Sequence, residues 1–169
     1  MIEFYVLDES HVESLLEFET RNREWFESLI APRDASFYDQ AGIQQHIHAL
    51  VEGMSLGHSA SWVALESGEL VARANLKNVC QKTRTAEVGY RVGKSSTGKG
   101  VGSACVAQLI RYASAETGIA ELFGYVLGNN PASRRILEKH GFCETPAYNS
   151  TYEIQGVVYP LSKLRLELE

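Results

Sequence analysis

The sequence predicts an α/β (α+β) fold, a central mixed, mostly antiparallel sheet of about seven strands flanked by helices. Three observations predict it. Short runs with period-two apolar alternation interleave with longer runs whose apolar residues recur at helical spacing. Two-residue turn signals, Ser67-Gly68 and Gln155-Gly156, join neighbouring strand-like runs as hairpins. A glycine-rich run, Thr97-Gly98-Lys99-Gly100-Val101-Gly102, connects a strand pattern to a helix pattern. Hairpins and helical crossovers together imply antiparallel and parallel neighbours in one sheet.

The elements follow in the order β-α-α-β-β-β-α-β-α-β-β. Glu3 to Leu7 reads as a short strand. Ser10 reads as the cap of a helix running to about Leu29, with Val12, Leu15, Leu16 and Phe18 on its apolar face. Ala31 to Ser36 is a loop, and a second helix runs from about Asp39 to Gly53 through Ile43, Ile47, Leu50 and Val51. Ser61 to Glu66 and Glu69 to Val79 form a hairpin, and Ala86 to Gly93 is the next strand. The glycine loop opens a helix to about Glu116, with Val101, Cys105, Leu109 and Tyr112 on one side. Glu121 to Leu127 is a strand and Pro131 to His140 a helix. Two final strands, Phe142 to Ile154 and Val157 to Leu168, complete the chain.

At 169 residues, one domain is the economical reading, with a core that needs no staples. Apolar residues make up 44% and charged residues 22%, as in soluble globular proteins. The net charge of -5 argues against nucleic acid, which calls for a basic patch. It suits a cationic acceptor, and Glu24, Glu27, Asp34 and Asp39 are the carboxylates that would attract one. Cys80, Cys105 and Cys143 lack metal-ligand spacing and are odd in number, so they read as reduced and mostly buried. His46 and His48 lie two apart in a helical run and cannot share a face, so no metal site is expected. No apolar run approaches ~18 residues and no leader pattern opens the chain. A cytoplasmic protein without a membrane partner is expected, as a monomer or homodimer.

The glycine loop carries the chemistry. Alternate glycines let the backbone adopt angles other residues avoid and approach a ligand closely. The loop aims free N–H groups and the positive end of a helix dipole at one point, which is an anion site. Three chemistries use such a loop. A Walker loop would need Ser or Thr at Gly100 to hold magnesium. A dinucleotide loop would need glycine at Ser103 and a place after the first strand. A pyrophosphate cradle for coenzyme A is the third. A glycine loop can also simply turn a corner.

Thr97 to Gly102 resembles the acyl-CoA loop of the GNAT acetyltransferase superfamily, Q/R-x-x-G-x-G/A, with Gly100 and Gly102 on its two small positions. Thr97 departs from the usual Gln or Arg. Asn130-Pro131-Ala132-Ser133 followed by Leu137-Glu138-Lys139-His140-Gly141-Phe142 resembles the N-x-x-S…LEK-x-GF segment of the RimJ/RimL-like branch, which acetylates protein N-termini. The same residues also make ordinary helix signals: Asn130 and Pro131 start a helix, and Gly141 suits its end. The resemblance covers about Ser61 to Phe142.

The resemblance implies a cleft where the fourth and fifth strands splay. Pantetheine would pair there with the backbone of Tyr90, Arg91 and Val92, as an added strand does. The pyrophosphate would rest on Thr97, Gly98, Lys99, Gly100, Val101 and Gly102, near Asn130; Lys99 could equally be a solvated loop lysine. Acetyl-CoA would be the co-substrate and an amine the acceptor, a protein N-terminal α-amine or a small amine such as a polyamine or antibiotic. Direct transfer needs a base, an oxyanion donor and a proton for the leaving thiolate. Glu87 is the candidate base or water-holder, with an edge-strand salt bridge as its structural alternative. Ser133 is the candidate thiolate donor, with helix capping as its alternative. Backbone N–H near Val88 is the oxyanion candidate, and Tyr125 a second acid. Tyr90 faces opposite to Glu87 by strand alternation. A non-catalytic acyl-CoA-binding module and a nucleotide enzyme are the competing classes.

Overall fold

The computed structural model describes all residues, 1–169. Its strands are β1 (Ile2–Val6), β2 (Ala60–Glu66), β3 (Glu69–Cys80), β4 (Thr85–Val92), β5 (Glu121–Leu127), β6 (Cys143–Glu144), β7 (Ser150–Ile154) and β8 (Val157–Glu167). Its helices are α1 (Val12–Arg21), α2 (Arg23–Glu27), α3 (Gln40–Ser55), α4 (Val101–Tyr112) and α5 (Pro131–Lys139). The strands form one eight-stranded sheet in the order β1-β2-β3-β4-β5-β8-β6, with β7 also on β8. Only β4 and β5 run parallel. Both expected hairpin turns form, with positive φ at Ser67 and Gly68 and at Gln155 and Gly156. That backbone matches the twist of the strands it joins.

Strand alternation divides the apolar residues between the two faces of the sheet. Trp62, Ala64, Ala74, Leu76, Ala86 and Val88 pack with Val101, Cys105, Val106 and Leu109 of α4. Val63 and Leu70 face the other way, onto Leu15 and Phe18 of α1 and Ile43 and Ile47 of α3. Removing each such large side chain from water stabilises the fold by about 1.5–3 kcal/mol. No helix is long and apolar enough to cross a membrane.

The structure corrects the sequence reading in four places. The first long helix is broken. Asp8, not Ser10, caps a short 3-10 turn at Glu9–His11, and α1 ends at Asn22. Asn22 is buried; its side chain donates to Phe18 O (2.9 Å) and accepts from Lys94 N (2.9 Å), tying the end of α1 to the loop after β4. The stretch Phe142 to Ile154 is two strands, β6 and β7, giving eight rather than seven. Pro146 has no N–H to give a ladder, and the chain turns there with Tyr148 N on Thr145 O. Of the three cysteines only Cys105 is buried, its thiol pushed up to about 12 by burial; Cys80 is half-buried and Cys143 exposed. The carboxylates Glu24, Glu27, Asp34 and Asp39 lie outside the central cleft.

Candidate active site

β4 and β5 pair only from Thr85–Glu121 to Glu87–Phe123, then separate. The fork therefore opens at Glu87. Gly93 N donates to Val71 O on β3, so the ladder parity turns the peptide groups of Val88, Tyr90 and Val92 away from β3, into the fork. The Val88 N–H still closes the last bridge to Phe123, but Val88 O, both peptide groups of Tyr90 and the Val92 N–H have no strand partner, and an extended ligand can pair with such groups. Trp25 closes the far end, its indole N–H donating to Val92 O at 3.2 Å. Gly124 permits the close approach at the root of the fork, since a Cβ there would lie 3.0 Å from Val88 Cγ2.

A cavity of about 400 Å³ fills the mouth of the fork between the glycine loop, α2 and α5. Gly98 and Gly100 adopt φ of +74° and +82°, and nothing lies within 4 Å of the Cβ that either lacks. Both therefore leave an open, left-handed cradle that other residues adopt only with strain. Ala104 N donates to Gly100 O, so the N–H groups of Val101, Gly102 and Ser103 at the start of α4 have no intrahelical acceptor. Gly102 serves a further purpose. Its Cβ would lie 2.8 Å from Ile136 Cδ1, so it lets α4 sit against α5. Thr97 lines the cavity but spends its hydroxyl on Lys94 O at 2.8 Å. Lys99 is exposed and does not line it. The positive charge on the wall comes instead from Arg135 and Lys139, one turn apart on α5. Neither was expected at the anion site from the sequence, though their four-residue spacing in the segment that follows Asn130 was the available signal.

A second cavity, about 460 Å³, passes through the fork and reaches the face covered by α1 and α3. Ser133 and Tyr90 line both cavities. Their hydroxyls lie 2.9 Å apart. Burial pushes the Tyr90 phenol up to about 12, so it holds its proton across the neutral range. Tyr90 was expected only to offer its backbone; its side chain joins Ser133 as a two-hydroxyl chain. Asn130 lines both cavities and caps α5, its side chain accepting from Ser133 N at 3.2 Å. Tyr125 lies on the opposite, α1–α3 side of β5, exposed beside Tyr148.

Glu87 lines this second cavity at the root of the fork. One carboxylate oxygen pairs with Lys77 Nζ at 3.2 Å and the other accepts from Asn78 at 3.0 Å. Strand alternation puts Glu87 and Arg91 on the α1–α3 face and Tyr90 on the α4–α5 face, as expected. Arg91 was expected to offer its backbone to the ligand, but by the same parity its peptide groups pair with Arg73 on β3, and its guanidinium reaches Glu19 on α1, 3.0 Å away. Glu19 is wholly buried and also holds Arg73, at 2.7 Å. No clustering of His, Cys, Asp and Glu suitable for a metal occurs.

A mixed sheet forked between a parallel pair, with a glycine cradle and helix N-terminus at its mouth, is the architecture of an enzyme that takes a coenzyme A thioester. Residues 3–143 match the acetyltransferase (GNAT) domain family. The chain belongs to that family, whose members take the acetyl group from acetyl-CoA. A putative phosphinothricin acetyltransferase of Bacillus subtilis is 32% identical over 112 residues, a match spanning 66% of this chain and 63% of that relative. The fold is that of the ribosomal-protein-S5-alanine acetyltransferase of Vibrio fischeri, with TM-score 0.92 at 16% identity over 99% of this chain and 93% of that one. It is also that of RimL, a ribosomal L7/L12 α-N-protein acetyltransferase solved with coenzyme A, with TM-score 0.87 at 17% identity over 99% and 94% of the two chains.

Proposed function

We propose that this chain transfers an acetyl group from acetyl-CoA to a primary amine by direct attack, both substrates being held in the fork. One observation carries the reading: the free edge of β4, centred on the two unpaired peptide groups of Tyr90, leads from an anion cradle on one side to a cavity with charged residues on its wall on the other. Acetyl-CoA supplies the activated acyl group as a thioester. The free N–H groups of Val101, Gly102 and Ser103 hold its pyrophosphate, helped by Arg135 and Lys139. The edge N–H of Tyr90, the first free one past Val88, faces the oxygen on which charge develops, where a preorganised donor lowers the barrier most.

Glu87 draws the proton from the attacking ammonium, directly or through a water, on the acceptor side. Ser133 gives its proton to the leaving thiolate and is resupplied by Tyr90, which stands protonated 2.9 Å away. No acyl-cysteine is needed: Cys105 is buried and un-ionised, and no histidine pairs with any of the three thiols. A protein N-terminal α-amine and a small amine are the acceptor classes to compare, since the named relatives include both. The test follows thiol release from acetyl-CoA across peptides, amino acids and polyamines, with Glu87→Gln alongside. Release that needs an amine, and falls in Glu87→Gln without loss of acetyl-CoA affinity, supports the reading. Saturable binding with no release on any amine would favour a binding module instead.

A further inference from the structure

The acceptor side of the fork has an unexpected charge. The chain is acidic overall, at -5. Yet Arg33, Arg73, Arg91 and Lys77 all line the second cavity, and Glu87 is the sole carboxylate on its wall. Glu19, buried behind the wall, is shared between Arg73 and Arg91. Two positive charges are therefore left without a partner. His46, also on the wall, adds none. Burial first, and then Arg73, Arg33 and Arg91, pull its imidazole down to about 3. Its Nε2 lies 2.8 Å from an Arg73 nitrogen, and arginine only donates, so Nε2 accepts and the ring is neutral.

Arg33 is the group that stands free. No carboxylate pairs with it, and its guanidinium stacks on Phe37 at 4.3 Å, which fixes its plane. Its Nε is buried and has no hydrogen-bond partner. Two other buried atoms of the same cavity also lack partners, Ser61 Oγ and Asn75 Oδ1. Ser61, Asn75 and Gly89 are register partners across β2, β3 and β4, in the row beside Val63, Arg73 and Arg91. Unpartnered buried polar atoms are costly, about 1–3 kcal/mol each, so native proteins keep few of them outside sites that await a ligand. Here they include a donor for an anion and an acceptor for an N–H, in a cavity of small-molecule size.

We propose that the Arg33 end of this cavity is a subsite for an oxyanion carried by the acceptor, so that the acceptor is a small amine bearing its own carboxylate or phosphinate. The inference rests on the acceptor-side assignment above. A polyamine would enter against two uncompensated positive charges, whereas an amino acid or its phosphorus analogue brings the charge that Arg33 lacks. A planar guanidinium held by stacking suits two-point binding of either oxyanion.

The test measures thiol release with saturating acetyl-CoA over matched acceptors: the common α-amino acids, their carboxamides, α-aminophosphinic analogues, spermidine, and a hexapeptide with a free N-terminus. In parallel, calorimetry titrates the same compounds into the coenzyme-A-saturated protein. A free carboxylate or phosphinate is expected to outperform its neutral counterpart by about tenfold or more in kcat/KM, the scale of one charge-assisted hydrogen bond. Which acid wins separates the two sources of the oxyanion. Arg33→Gln, at a half-buried position, should bring that ratio close to one and leave acetyl-CoA affinity unchanged. Spermidine or the peptide as best acceptor, or a ratio that Arg33→Gln does not move, overturns the subsite. Selective acid binding without thiol release, abolished by Arg33→Gln, keeps the subsite and overturns acetyl transfer. Neither binding nor release overturns both.

Discussion

Replacing Glu19 with glutamine should destabilise the fold by about 3–5 kcal/mol, the cost of leaving one side of a buried ion pair unmatched. The structure sets that scale. Glu19 is 0% exposed and Arg73 3%, and the carboxylate oxygens lie 2.7 Å and 3.0 Å from the Arg73 and Arg91 guanidinium groups. Glutamine keeps one oxygen to accept from one arginine. Its amide N–H then meets the other guanidinium donor to donor. One charge-assisted bond is lost, at about 1.5–3 kcal/mol, and two cations remain in a low-dielectric site without their counter-ion. For a domain of this length the melting temperature should fall by roughly 6–20 °C. Urea unfolding with matched thermal melts reads both numbers. Glu17→Gln is the control, because Glu17 is 75% exposed in its pair with Arg21 and should leave the melt where it was. A loss for Glu19→Gln below about 1 kcal/mol, the scale of exposed pairs, would refute the reasoning.

Three further outcomes are expected. Gly100→Val forces a β-branched residue to φ +82° and fills the open cradle, so acetyl-CoA affinity measured by calorimetry should fall by at least about tenfold, or 1.4 kcal/mol. Ser133→Ala and Tyr90→Phe should each lower kcat by about a hundredfold, the low end for a proton donor, with acetyl-CoA affinity nearly unchanged in equilibrium titration. His46 is held neutral when folded, at about 3 against 6.5 in the free side chain, so the unfolded chain binds the extra proton between those values. Stability is thus intact above about pH 6.5 and declines as pH falls toward 3; urea midpoints across that window should decline less in His46→Gln, which can still accept from Arg73.

Much of this was legible in the residues. Alternation and helical spacing located the strands and most helices, and alternate glycines located the cradle, since both signals are local. The strand face of Glu87 against Tyr90 followed from period two alone. What the sequence hid is long-range. Glu19 and Arg91 are 72 positions apart, and nothing in the spacing of either names the other. The apolar stripe of α1 shows which face is buried, not that a carboxylate on it meets arginines from β3 and β4. The net charge pointed to a cationic acceptor, because it averages over the surface; the cavity wall has the opposite sign. The break at Asn22 was hidden for the same reason: its side chain answers to Lys94, in a different element. Spacing placed Gly102 in the cradle, where its N–H stays free, and only the packing of Ile136 shows that its missing Cβ also makes room for the contact between α4 and α5.

The most direct test of the central claim is calorimetric titration of the protein with acetyl-CoA, with ATP and magnesium as the control. The fork and cradle require saturable one-site binding of acetyl-CoA, lost in Gly100→Val, and no magnesium-dependent binding of ATP. Absence of saturable acetyl-CoA binding, or ATP binding that needs magnesium, would contradict the account.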